Sequence, residues 1–103
     1  MKAYVLTNAA EADLREIIRY TRAQWGEAQV RSYVARLGQG IERLVKREGA
    51  FSELAAIHPG LRMALCEHHY VFCLPREAAP ALIVALLHER MDLMSRVAER
   101  LRA

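Results

Sequence analysis

Six consecutive apolar residues, Leu82 to Leu87, constrain the fold of this chain more than any other feature. A strand with one wet face alternates apolar and polar residues, so an unbroken run is expected of a central strand covered on both faces. The apolar stretch from Ala81 to Leu87 is far too short to cross a bilayer, which takes about 20 residues as a helix. It belongs in the middle of the core, and the rest of the chain has to cover it.

Two helical patterns precede it. Asn8, with Glu11 three residues on, resembles a capping box in which each side chain satisfies an orphaned backbone N–H. From there to about Trp25, Leu14, Ile17, Ile18, Thr21 and Trp25 recur at helical spacing, while Asp13, Arg15, Glu16, Arg19 and Arg22 take the other face. Gly26 supplies a left-handed stop, and Val30, Tyr33, Val34, Leu37, Ile41, Leu44 and Val45 repeat the period. The two helices form an antiparallel hairpin. Gly38 and Gly40 lie inside the second helix, each costing about 1 kcal/mol relative to Ala. They imply a bend or a close approach, expected here against the first helix.

Elsewhere the period is that of strands. Ala3 to Thr7 is short and rich in β-formers; Leu61, Met63 and Leu65 alternate with Arg62, Ala64 and Cys66; and Tyr70 to Leu74 follows, with Glu67 to His69 as the hairpin connection. The stretch from Gly49 through Pro59-Gly60 reads as a loop with one helical turn near Glu53-Leu54. After His88 the chain turns through Glu89-Arg90-Met91, and Asp92 can cap a last helix with Leu93, Val97 and Leu101 inside. The expected fold class is α+β in the order βααβββα, a single domain over residues 1–103. Its sheet should have four mainly antiparallel strands with the helix hairpin packed on one face.

Charge and cysteine usage exclude several classes. The 15 Lys and Arg against 12 Asp and Glu give a net charge of +3, and they are interspersed with acids rather than gathered into a phosphate-binding stripe. Such a mildly basic surface favours an acidic protein partner. Cys66 and Cys73 lack the spacing of a zinc or redox pair, although their placement about His69 and Tyr70 could set them opposite each other across the hairpin. No signal-peptide h-region follows Lys2, so the expected location is cytoplasmic, with reduced thiols.

Tyr20-Thr21 with Trp25-Gly26 and Tyr33, Pro59-Gly60-Leu61-Arg62 before a strand, and His69-Tyr70-Val71-Phe72 leading to Leu87-His88-Glu89-Arg90-Met91-Asp92-Leu93 resemble the ParE toxins of type II toxin-antitoxin systems, within the ParE/RelE superfamily. The likeness covers nearly the whole chain and is most specific at Leu87–Leu93. It implies a toxin that poisons DNA gyrase, needs no cofactor, and is neutralised by a cognate antitoxin that wraps around it. DNA is then contacted only through the antitoxin, and no membrane is involved. RelE-like members instead cut messenger RNA on the ribosome with strand-borne basic residues. A metal-free ribonuclease needs cations for the phosphorane charge and an acid–base pair. Here the corresponding strands carry Leu61, Met63, Leu65 and Tyr70, with Arg62 and Arg90 as isolated cations, which favours the gyrase branch. An interaction module without toxicity is a third reading.

On that resemblance the antitoxin is expected in an apolar channel between hairpin and sheet, at Leu14, Ile18, Trp25, Tyr33, Leu37 and Arg62, and the target at His88, Arg90, Arg96 and Arg100. Arg62 could also pair with Glu67 or Asp92. Trp25 and Tyr33 suit hairpin packing as well as hot spots. His68 and His69 are neighbours and point to opposite strand faces, so no metal set is expected. His69 should bond backbone through a ring nitrogen, and His88 the turn into the last helix.

Overall fold

In a computed structural model, which describes residues 3–90 and 92–102, the apolar run lies second in a five-stranded mixed sheet. Chain order is β1 (Tyr4–Leu6), α1 (Asn8–Trp25), α2 (Glu27–Val45), β2 (Ser52–Glu53), β3 (Arg62–Cys66), β4 (His69–Leu74), β5 (Ala81–His88) and α3 (Leu93–Arg102). In space the strands run β1-β5-β4-β3-β2, β1 parallel to β5 and the other pairings antiparallel. Both faces of β5 are covered. Ile83 and Leu86 join a core with Ile17, Leu37, Ile41 and Leu44 of the helix hairpin, while Val84, Ala85 and Leu87 join Phe72, Leu61 and Val97 on the α3 side. Phe72 pairs with Ala85 and Cys73 with Ile83, leaving Val84 as the extra residue of a β-bulge. The bulge is why Val84 and Ala85 share a side.

Five strands, not four, corrects the expected sheet. Ser52 pairs with Met63 and Glu53 with Arg62, but two exposed residues are too few to show a period of two. The helical turn expected near Glu53-Leu54 begins at Leu54, whose carbonyl accepts from Ile57 and His58 N–H. The cap of α1 also moves: Thr7 Oγ1 accepts from Ala10 N–H at 3.2 Å, while Thr7 N–H donates to Ile83 O. One threonine therefore ends the strand and starts the helix. Gly26 takes φ 89° and returns its N–H to Arg22 O, as its place after α1 requires. Of the turn before α3, Met91 lies outside the described residues.

The hairpin between β3 and β4 turns on two residues, Glu67 and His68, so Cys66 pairs with His69 and Cys73 with Arg62. The two thiols do not face each other. Both are free and buried, and burial pushes both up from their ordinary pKa, which keeps them as small hydrophobes.

Gly40 packs against β3 rather than α1. A Cβ there would stand 2.5 Å from Cys66 Sγ and 3.0 Å from its Cβ, whereas one at Gly38 would meet nothing within 4 Å. Gly38→Ala should therefore stabilise the protein by about 0.5–1 kcal/mol through helix propensity. Gly40→Ala gains the same propensity but forces the floor of β3, and overpacking costs about 1–3 kcal/mol. Urea unfolding should show opposite signs for the two variants; the same sign for both would contradict this packing.

The sheet edge beside β1 is completed by side chains. β1 ends where Thr7 N–H reaches Ile83 O, and beyond it Leu86 N–H donates to Asp13 Oδ2 at 2.9 Å. Val84 O accepts from Arg100 at 3.1 Å, and the same guanidinium grips Asp13 through both nitrogens. One ion pair thus joins α1, β5 and α3. The hydrogen bond to Asp13 raises the Arg100 pKa further above its ordinary value.

Candidate binding surfaces

Hairpin and sheet are packed together where the antitoxin channel was expected. Leu37 is 1 % exposed, so it belongs to the core and no partner can reach it without unfolding. Among the described residues, two grooves lie open beside the hairpin. One, of about 910 Å³, follows the outer side of β1 and is lined by Tyr4, Leu6, Leu14, Ile18, Glu42 and Lys46. Ala3 O and Thr7 N–H bond β5, so by the alternation of a ladder the backbone groups of Tyr4 and Leu6 face this groove. The other, of about 810 Å³, lies between the ends of α1 and β5 and is lined by Tyr20, Trp25, Tyr33, Arg36, His69 and His88 among others. The six residues expected at the antitoxin thus divide: Leu14 and Ile18 in the first groove, Trp25 and Tyr33 in the second, Leu37 and Arg62 in neither.

Arg62 closes a helix instead of meeting a carboxylate. Its Nη1 donates to Leu44 O and Val45 O, each at 3.1 Å, where the last carbonyls of α2 carry the negative end of the helix dipole. Its guanidinium also lies over the Phe51 ring at 5.8 Å. Glu67, a partner considered for it, is bonded to Arg36. Backbone carbonyls leave no mark in a sequence, so this partner could not be read there.

The floor of the second groove is a chain of rings. Tyr33 hydroxyl accepts from His68 N–H at 3.1 Å and lies 2.7 Å from His69 Nδ1. Of the two directions this bond allows, donation by the phenol uses its only proton, and that assignment puts the His69 proton on Nε2. His69 bonds a side chain, therefore, not the backbone. His69 and His88 are cross-strand partners with ring centroids 5.4 Å apart, edge to face. His88 Nδ1 accepts from Arg90 N–H at 3.2 Å, the expected bond to the turn. Above this floor Tyr20 is 65 % and Trp25 70 % exposed. Trp25 lies four residues past buried Thr21 and should continue the inner stripe, yet as the last residue of α1 it stands in the open.

Burial first, then the neighbouring His88, lowers the His69 pKa from 6.5 to about 4. The unfolded chain therefore binds a proton more readily than the folded one. The contribution of neutral His69 is complete above about pH 6.5 and is lost progressively as pH falls toward 4. With the ring only half-buried, solvent screening reduces the loss to about 1–2 kcal/mol. The urea midpoint should fall between pH 7 and pH 4.5, and His69→Gln should flatten that slope; an unchanged slope in the variant would assign the acid sensitivity elsewhere.

The four residues expected at the target also separate. His88 lines the second groove, and Arg100 is committed to Asp13 and Val84. Arg90 and Arg96 are exposed and line neither groove. On the α3-side face, Met63 and Tyr70 are partly buried against the core and Leu65 is 50 % exposed, while Leu61 is wholly buried. These strand positions are therefore apolar and carry no cation. Among the described residues no three His, Cys, Asp or Glu side chains gather as metal ligands, and no helix is long and apolar enough to cross a membrane.

The sequence marks Tyr20 only as part of the family likeness and Glu67 only as a partner for Arg62, and it gives Asp13 and Arg36 no functional signal. Asp13 and Tyr20 occupy the face of α1 that periodicity marks as solvated, and the Arg36–Glu67 pair spans elements 31 residues apart.

A mixed sheet held between a helix hairpin and a C-terminal helix, with an aromatic and a strand-edge groove at the surface, defines a small α+β domain. The sequence profile described as the ParE toxin of type II toxin-antitoxin systems, parDE, matches residues 4–93, and the chain belongs to that family. It is 66 % identical to Toxin ParE of Escherichia coli, over 99 % of both chains. With Toxin ParE1 of Caulobacter vibrioides it shares 30 % identity, over 89 % of this chain and 94 % of that one. The fold matches a structure described as a chromosomal ParDE toxin-antitoxin system from P. aeruginosa at a TM-score of 0.65 and 20 % identity, covering 85 % of this chain and 96 % of that one.

Proposed function

We propose that this toxin acts without catalysis, in the cytoplasm, by binding DNA gyrase and blocking it, and that a cognate antitoxin neutralises it by filling the two grooves. The observation that supports the target is the apolar α3-side face, whose strands offer Met63, Leu65 and Tyr70 rather than the cations a metal-free ribonuclease needs, and Arg62 is spent on the carbonyls of α2. The antitoxin reading draws on the family and on the grooves. The edge of β1 offers Tyr4 and Leu6 backbone to an added strand, and the Trp25 groove suits the apolar face of a helix. One extended partner can use both, since the grooves flank the same helix.

Purified protein should inhibit gyrase supercoiling and leave messages uncut in a ribosome assay. Codon-dependent cleavage with gyrase unaffected would move the chain to the ribonuclease branch of the superfamily.

A further inference from the structure

The second groove has a chemistry its shape alone does not convey. Three carboxylates line it, and each already has an arginine: Asp13 has Arg100, Glu16 has Arg19 and Glu67 has Arg36. The acids are thus answered. The imidazoles are not, because His69 and His88 each use Nδ1 as an acceptor, from Tyr33 and from Arg90 N–H. In a neutral imidazole the other nitrogen then carries the proton. Two Nε2–H donors, on rings 5.4 Å apart, remain for whatever enters.

We propose that the His69–His88 pair is a carboxylate clamp, which takes an Asp or Glu side chain of a docking segment while Trp25 and Tyr20 hold the apolar residue beside it. The occupant is an acidic, amphipathic peptide segment. Charge complementarity supports it, since the chain carries a net charge of +3 and each of the groove's own carboxylates lies beside an arginine. The inference rests on the antitoxin reading of this groove and names the chemistry of the segment seated there.

The clamp is proton-linked. Around the two rings stand Asp13 and Glu16 of α1, Tyr33 and Arg36 of α2, Glu67 and His68 of the β3–β4 turn, Glu89 beyond β5 and Arg100 of α3. Burial first, and then the neighbouring His88, lower the His69 pKa and keep that ring neutral in the empty groove. An arriving carboxylate favours the protonated form of His69, so the bound complex takes up a proton and tightens as pH falls toward 6.

Trp25 is the sole tryptophan of the chain, and its emission reports occupancy directly. The probes are a capped synthetic amphipathic helix bearing Glu beside Leu and its Glu→Gln counterpart. At pH 6 the Glu peptide should bind about tenfold more tightly than the Gln peptide, as a charge-assisted bond requires. The gap should narrow at pH 8 and close in the His69→Gln/His88→Gln protein. His88→Gln alone, with the Tyr33–His69 bond intact, should halve the logarithm of the gap. Equal affinities at pH 6, or a gap that survives in the double variant, would overturn the clamp and leave the groove as a docking seat. If neither peptide shifts the emission, the groove is no seat for such a segment and the clamp falls with it.

Discussion

Arg100→Met should cost the fold about 2–3 kcal/mol. The substitution leaves the Asp13 carboxylate, 14 % exposed, without its cation, and leaves Val84 O without its donor. Breaking a buried pair by removing one partner costs about 3–5 kcal/mol. Arg100 keeps a quarter of its side chain in water, which places the expected loss at or below the low end of that range. Asp13→Asn/Arg100→Met should recover much of it, because the Asn carbonyl can still accept from Leu86 N–H while no charge is stranded. A double-mutant cycle in urea measures the coupling. A loss below about 1 kcal/mol in Arg100→Met would mean that the three elements are held without this pair. The prediction also guards a functional experiment: lost toxicity in an Arg100 variant reports on the target only if the folded fraction is unchanged.

The layers of this fold were legible because each is written as a period. Leu82 to Leu87 declared a strand covered twice, and β5 indeed separates two cores. The hairpin stripes gave Ile17, Thr21, Leu37, Ile41 and Leu44 as buried. What stayed hidden was structure made by few residues or by backbone. β2 has two residues and no readable alternation, and β1 joins the sheet through a parallel pairing across 77 residues, Tyr4 to Ala81, that no local pattern announces. The candidate site fared likewise. Aromatic Trp25 and Tyr33 were visible by type, but the groove they share exists only because Trp25 ends α1 in the open and because the Glu67-His68 turn puts His69 opposite His88. Arg62 and Arg100 looked alike in sequence as cations for a partner. Each is consumed inside the fold, one by a helix terminus and the other by a sheet edge.

That consumption changes how the target surface has to be tested. Truncation from Asp92 onward cannot isolate the target surface. In the structure Val97 is fully buried, and Leu93 and Leu101 pack over Leu61, Phe72 and Leu87, so truncation strips one face of the sheet and unfolds the protein. Point reversal of charge avoids this. Arg90→Glu/Arg96→Glu alters two exposed side chains that line neither groove, and surface changes of this kind leave stability within about 0.5 kcal/mol. If these arginines meet the target, reversing two rim charges should weaken gyrase binding about 10- to 100-fold and abolish growth arrest on induction. If the grooves hold the antitoxin, its affinity should fall less than that of gyrase, because every groove-lining side chain is kept and only the long-range field changes. Calorimetry with each partner, after a cooperative unfolding transition has been verified, separates the outcomes. A folded double variant that still arrests growth would remove Arg90 and Arg96 from the toxic surface. The exposed Leu65 on the β3 face and Met94 on α3 would then be the next side chains to replace.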